Sequence, residues 1–172
     1  MLERSEKYKQ LEDRIWGNLQ TSGLGPQIIT SSPHSTDFSN YTRVELWTEF
    51  GQNVDTHQYM MWIQINIKHK DSPQSVTPKI YHQPVTPKIY RMTRDTQEQT
   101  RISKVIWNGV TEDDIKFIAA EESEGYRSGR RSLRPGDVPE FDRFYQELKT
   151  GNVSVEVSPK FAQYRVFATK KS

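Results

Sequence analysis

The chain has no cysteine, which excludes disulfides, thiolate nucleophiles, cysteine-ligated zinc and iron–sulfur clusters. It also has no apolar run near the roughly 18 residues that a membrane-spanning helix requires, and its opening MLERSEKYKQ is charged. Neither a transmembrane segment nor a cleaved secretory signal is expected, which points to a soluble protein of the cytoplasm or nucleus. Leucine and alanine are scarce, at 7 and 4 residues, and glycine totals 9. No P-loop, no G-x-G-x-x-G and no G-x-S-x-G is present, so nucleotide cradling and a serine nucleophile elbow have no sequence support, and no cofactor is expected. Leu, Ile, Val and Phe together make 37 of the 172 residues, and the net charge is only +2. That is just above the roughly 20% at which disorder becomes the better reading. One thin core over a single domain, residues 1–172, is expected.

What is present alternates between helical and extended patterns. Over residues 3–20, Tyr8, Leu11, Ile15 and Leu19 recur at helical spacing with charged residues between them. Gly23, Gly25 and Pro26 end that pattern, and residues 30–40 have loop chemistry. Residues 42–50 and 59–69 alternate, with Val44, Leu46, Thr48 and Phe50 on one side of the first run and Met61, Ile63, Ile65 and Ile67 on one side of the second. The short connection predicts a hairpin, with Trp47 and Trp62 together on the face opposite the aliphatic stripe. Large exposed apolar patches are uncommon on monomers, so these two tryptophans are candidate interface residues.

VTPKIY occurs at residues 76–81 and again at 85–90. A nine-residue period is too short for a solenoid unit, and Pro78 and Pro87 suggest an edge or a loop tip over 70–90. Residues 101–108 are expected to form a strand. Thr111 followed by three acids predicts the N-terminus of a helix over 112–124. Asp137 and Glu140 form a D-x-x-E capping pattern before Phe141, Phe144, Tyr145 and Leu148, and Gly151 closes that helix. Val153, Val155 and Val157, then Tyr164, Val166 and Ala168, predict a C-terminal hairpin. The order implies an α+β fold: a mainly antiparallel sheet packed by an N-terminal helix and two helices of the C-terminal half.

Two basic regions are candidate nucleic-acid contacts. The segment GYRSGRRSLRPG, residues 125–136, carries Arg127, Arg130, Arg131 and Arg134 with Tyr126 and no acid. Guanidiniums give bidentate donors to phosphate, and an aromatic ring gives an unpaired base a stacking face. A competing reading carries equal weight: helix 112–124 holds six acids against Lys116, and the arginines would simply neutralise it. The second region spans 68–104, where Lys68, Lys70, Lys79, Lys88, Arg91, Arg94, Arg101 and Lys104 interleave with Tyr81, His82 and Tyr90 on an expected strand surface. Lys88, Tyr90 and Arg91 are its candidate contacts. A net charge of +2 limits any polyanion contact to such patches.

His34, His57, His69 and His82 show no metal-ligand spacing. The leading expectation is therefore a non-enzymatic binding or assembly protein that contacts RNA or another polyanion, with homo-oligomerisation as a further possibility. One alternative is a self-assembling structural protein such as a viral matrix or coat subunit. Another is a small hydrolase using His57 or His69 with an acid.

Overall fold

Ser5 opens the first helix by accepting a hydrogen bond from the Tyr8 amide, and helix α1 (Glu6–Thr21) buries the expected stripe of Tyr8, Leu11, Ile15 and Leu19. The computed structural model describes residues 5–23, 38–39, 41–53, 57–71, 75–76, 96–158 and 162–169. Strands β1 (Tyr41–Gln52) and β2 (Tyr59–His69) form the expected hairpin. Its register pairs Val44 with Ile67, Leu46 with Ile65, Thr48 with Ile63 and Phe50 with Met61, so the apolar stripe is continuous across both strands.

The two-residue strand β3 (Ser75–Val76) pairs with Ile67 and Lys68 of β2. Strands β4 (Val153–Ser158) and β5 (Gln163–Ala168) make the C-terminal hairpin, and β5 docks on β2 along Met60–Ile63. The main sheet order is β1-β2-β5-β4, and all pairings are antiparallel. The fold is α+β, as the sequence pattern indicates. No described helix is long and apolar enough to cross a membrane.

One expected strand is a helix. Residues 101–108 belong largely to α2 (Thr96–Ile106), which buries Gln99, Ile102, Ser103 and Ile106. Ile102 and Ile106 are four residues apart, a separation that satisfies both the helical period and alternation through exposed Lys104. Gln99 and Ser103, polar but buried, decide for the helix. Trp107, just beyond it, donates its indole N–H to the Ala162 carbonyl at 2.9 Å and stands edge-on to Tyr164.

Helix α3 (Glu112–Arg127) has the cap its sequence announces. The Thr111 hydroxyl accepts from the Asp114 amide at 3.1 Å, and the Asp114 carboxylate accepts from the Thr111 amide at 2.9 Å. The helix runs three residues beyond 124 because Gly125 is buried and Tyr126 packs on Phe141, which shortens the expected 125–136 loop. Helix α4 (Val138–Thr150) ends on left-handed Gly151 (φ 80°), as expected. Its start differs: Asp137 does not cap it. A 3₁₀ turn over Pro135–Asp137 runs straight into the helix, and the Asp137 carboxylate accepts from Arg134 Nε at 2.9 Å instead.

The four described helices share one apolar core with the inward side of the sheet. Phe50 meets Phe141 and Phe144, while Thr48 Oγ1 donates to the buried Glu122 carboxylate. The middle of the outer edge of β1 is covered by α1. Tyr8 donates its hydroxyl proton to the Leu46 carbonyl at 3.3 Å, and the Glu12 carboxylate accepts from the Leu46 amide at 2.7 Å.

The candidate loop at 30–40 lies outside the described residues except for Phe38 and Ser39. Phe38 sits edge-on to Trp16 at 5.9 Å. Apart from Val76, the VTPKIY copies also lie outside the described residues.

Candidate functional site

The β1–β2 register puts Trp47 and Trp62 on the side of the sheet away from the helical core. Trp47 faces Gln64, Glu49 faces Trp62, and Trp62 in turn faces Arg165 on β5, which faces Glu156 on β4. These pairs form a strip across the sheet. Trp47 is 47% exposed, the highest value among the large apolar side chains of the described residues. Trp62 is partly buried, and one edge of its ring comes close to Gly51: a Cβ there would stand 2.7 Å from the indole Cζ3 and 3.2 Å from its Cη2. Gln163 Nε2 donates to Gln64 Oε1 at 3.0 Å, linking β5 to β2 across the strip. Met60, Phe167 and Asn66, further along the same face, are buried, so the exposed part is centred on the two tryptophans.

The strip is balanced in charge, with Arg43, Lys68 and Arg165 against Glu45, Glu49 and Glu156. Arg43 Nη2 holds Glu45 Oε1 at 2.7 Å, and the Trp47 indole N–H donates to Glu45 Oε2 at 3.4 Å. Partial burial pushes the Glu45 carboxyl up, but the hydrogen bonds from Arg43 and Trp47, together with the charges of Arg43 and Lys68, outweigh it and leave the pKa below its ordinary value. The Trp47 indole is thereby tethered from beneath by its own strand. Arg165 Nε is buried without a hydrogen-bond partner.

The arginine-rich segment is divided among different tasks. Tyr126 packs against Phe141, and Arg127 lies 4.5 Å from the centroid of the Tyr145 ring. Tyr145 also donates its hydroxyl proton to Glu124. Arg131 Nη2 holds the Glu122 carboxylate at 2.7 Å, and its Nη1 donates to the Thr48 carbonyl at 3.4 Å, closing a triangle between β1, α3 and the following turn. Arg134 pairs with Asp137. Arg130 is exposed and forms no ion pair with any described residue. Tyr126 and Arg131 are therefore packed inward, Arg127 and Arg134 already have local partners, and Arg130 has no ionic partner among the described residues. The candidates Lys88, Tyr90 and Arg91 lie outside the described residues.

His57 is exposed in a turn at φ 55°, while the His69 ring stands edge-on to Tyr41 and accepts from the Asp71 amide. Among the described residues, no group of three or more histidines and carboxylates is placed to hold a metal.

Sequence reasoning placed both tryptophans on the right face but missed Arg165, Gln64 and Gln163 beside them. The alternation of β5 carries the signal for Arg165 and Gln163, but only the pairing of β5 with β2 brings them to Trp62 and Gln64. Against family models, curated proteins and solved structures, the chain shows no match.

Proposed function

We propose that this chain is a non-enzymatic binding and assembly protein that associates through the outer face of its sheet, with a second copy of itself as the partner. The observation that carries the reading is Trp47, 47% exposed on the edge strand at one end of a strip with no described helix over it. The balance of three basic against three acidic residues across that strip favours a self-complementary contact over a polyanion. A twofold contact would set the same tryptophans and charges of each copy against those of the other.

Light scattering after size exclusion, over a hundredfold range of protein concentration, tests this. Wild type is expected to convert from monomer to dimer, and Trp47→Ala to remain monomeric with an unchanged circular dichroism spectrum. Gly51→Ala, which displaces the Trp62 indole, should weaken the dimer as well. A wild type that stays monomeric throughout, or a dimer indifferent to both substitutions, overturns the reading.

A second reading, contact with RNA through the 127–134 turn, is favoured by Arg130, which has no described ionic partner, and by the 79% exposure of the Arg134 side chain. In that case Arg130→Ala weakens single-stranded RNA binding and reduces its salt slope by about 1. An unchanged slope removes the turn from consideration.

A further inference from the structure

Six asparagines occur in the chain, and only Asn108 is followed by glycine. That dipeptide lies in the turn between α2 and α3. The Val110 amide donates to the Trp107 carbonyl at 3.0 Å and closes the turn, which leaves the peptide between Asn108 and Gly109 at its tip. The fold requires glycine at residue 109 on two counts. Its φ is 82°, and a Cβ there would stand 2.5 Å from Nη1 and 3.2 Å from Cζ of Arg14 on α1. With no side chain on residue 109, its amide nitrogen is open to approach from the Asn108 side chain.

Both residues are exposed, and among the described residues neither the Asn108 side chain nor the Gly109 amide makes a hydrogen bond. The carbonyl of the same peptide is engaged: the Asn108 oxygen accepts from Asn18 Nδ2 at 2.8 Å. A hydrogen bond on that oxygen draws electron density away from the nitrogen and makes the Gly109 N–H easier to ionise. The Arg14 guanidinium lies against the same glycine and has no carboxylate within 4.0 Å among the described residues. A cation so placed favours negative charge on the nitrogen. Helix α1 thus brings a donor and a charge to one backbone peptide of the following layer, from residues about ninety positions earlier in the chain.

We propose that Asn108 is a site of spontaneous modification, converted to aspartate and isoaspartate by attack of the Gly109 nitrogen. The ionised nitrogen forms a bond to Asn108 Cγ, the Cγ–Nδ2 bond breaks, and Nδ2 takes a proton from solvent and leaves as ammonia. A five-membered cyclic imide remains. Water then adds at one of its two carbonyls. Breaking the bond from nitrogen to Cγ gives aspartate, whereas breaking the bond from nitrogen to the former backbone carbonyl gives isoaspartate, whose main chain runs through Cβ and Cγ. No oxidant or reductant enters. Either product puts a carboxylate in the depression that Arg101 and Lys104 also border, and isoaspartate lengthens the turn by one atom shortly before the Thr111 cap of α3. The site shares no residue with the tryptophan strip and does not depend on self-association.

Peptide mass spectrometry of the full chain, incubated at mildly alkaline pH in water enriched in heavy oxygen, tests this. Asn108 should take up the label about tenfold or more faster than any other asparagine, with isoaspartate in excess, because only its successor lacks a Cβ in the path of attack. Arg14→Gln, on an exposed side chain, should slow the conversion several-fold with an unchanged circular dichroism spectrum, and Arg14→Lys, which keeps the charge, should restore most of the rate. An Asn108 that converts no faster than the other asparagines, or a rate that is the same in Arg14→Gln as in wild type, overturns the proposal.

Discussion

The two faces of one sheet are put to opposite uses. On the inward face the β1 and β2 positions from Val44 to Phe50 and from Met61 to Ile67 are buried in the core, and even the charge there is matched: Glu122, nearly fully buried, holds both Thr48 and Arg131. On the outer face, tryptophans two residues or fewer in register from those core positions are left against solvent, Gly51 and neighbouring polar side chains. The same alternation that builds the core thus also sets apart a second surface, part of it buried at Met60, Asn66 and Phe167 and part of it, around Trp47, left to solvent. Stability should reside on the first face and association on the second.

The largest expected effect contrasts Phe50 with Trp47. Phe50→Ala removes a ring packed against Phe141, Phe144 and Tyr59 and should cost about 3–5 kcal/mol in urea unfolding. Trp47→Ala should cost under about 0.5 kcal/mol in the same measurement on the monomer. Equal losses would erase the distinction between the faces.

A smaller contrast compares two ion pairs of the same 2.7 Å length. Arg131→Ala strands the Glu122 carboxylate, whose side chain is 6% exposed, and should cost about 3 kcal/mol. Arg43→Ala breaks the solvent-facing pair with Glu45 and should cost between about 0 and 1 kcal/mol by chemical denaturation.

The smallest effect concerns pH. Burial pushes the Asp114 carboxyl up, but the hydrogen bonds of the Thr111 cap and the nearby Lys7 ammonium outweigh it, so its pKa falls below the ordinary 3.8. A folded pKa below the unfolded one stabilises above the unfolded value, and the gain is lost as pH falls through the folded value. Asp114→Asn should therefore cost under about 1 kcal/mol at neutral pH, with the difference from wild type disappearing in acid. A persistent difference in acid would mean that the carboxylate charge is not what stabilises the cap.

Much of the fold was legible because local and global signals agree. The stripe of α1, the paired alternation of β1 and β2, the Thr111 cap and the left-handed Gly151 each required only nearby residues. The 101–108 segment was misread because Ile102 and Ile106 fit two periods at once, and only burial of Gln99 and Ser103 separates them. Asp137 was misread because Arg134, three residues before it, competes for the same carboxylate. The junction of α1 and α2, where Asn18 Nδ2 donates to the Ile106 carbonyl, was beyond reach for another reason. Asn18 and Ile106 are 88 positions apart in the chain, and no local pattern announces that one will close the end of the other's helix. The tryptophan face could be read from alternation, but the exposure of Trp47 depends on where every other element has gone.

The partly covered edge of β1 has a consequence for how this protein can go wrong. Cross-β fibrils grow by recruiting extended segments onto unpaired backbone, and a twelve-residue strand is ample template for that. With the Leu46 amide and carbonyl occupied by Glu12 and Tyr8, an incoming strand finds the middle of the template already taken. Detachment of helix α1 would uncover that template, so substitutions that loosen Tyr8 and Glu12 from Leu46 are expected to raise the tendency of β1 to recruit another strand.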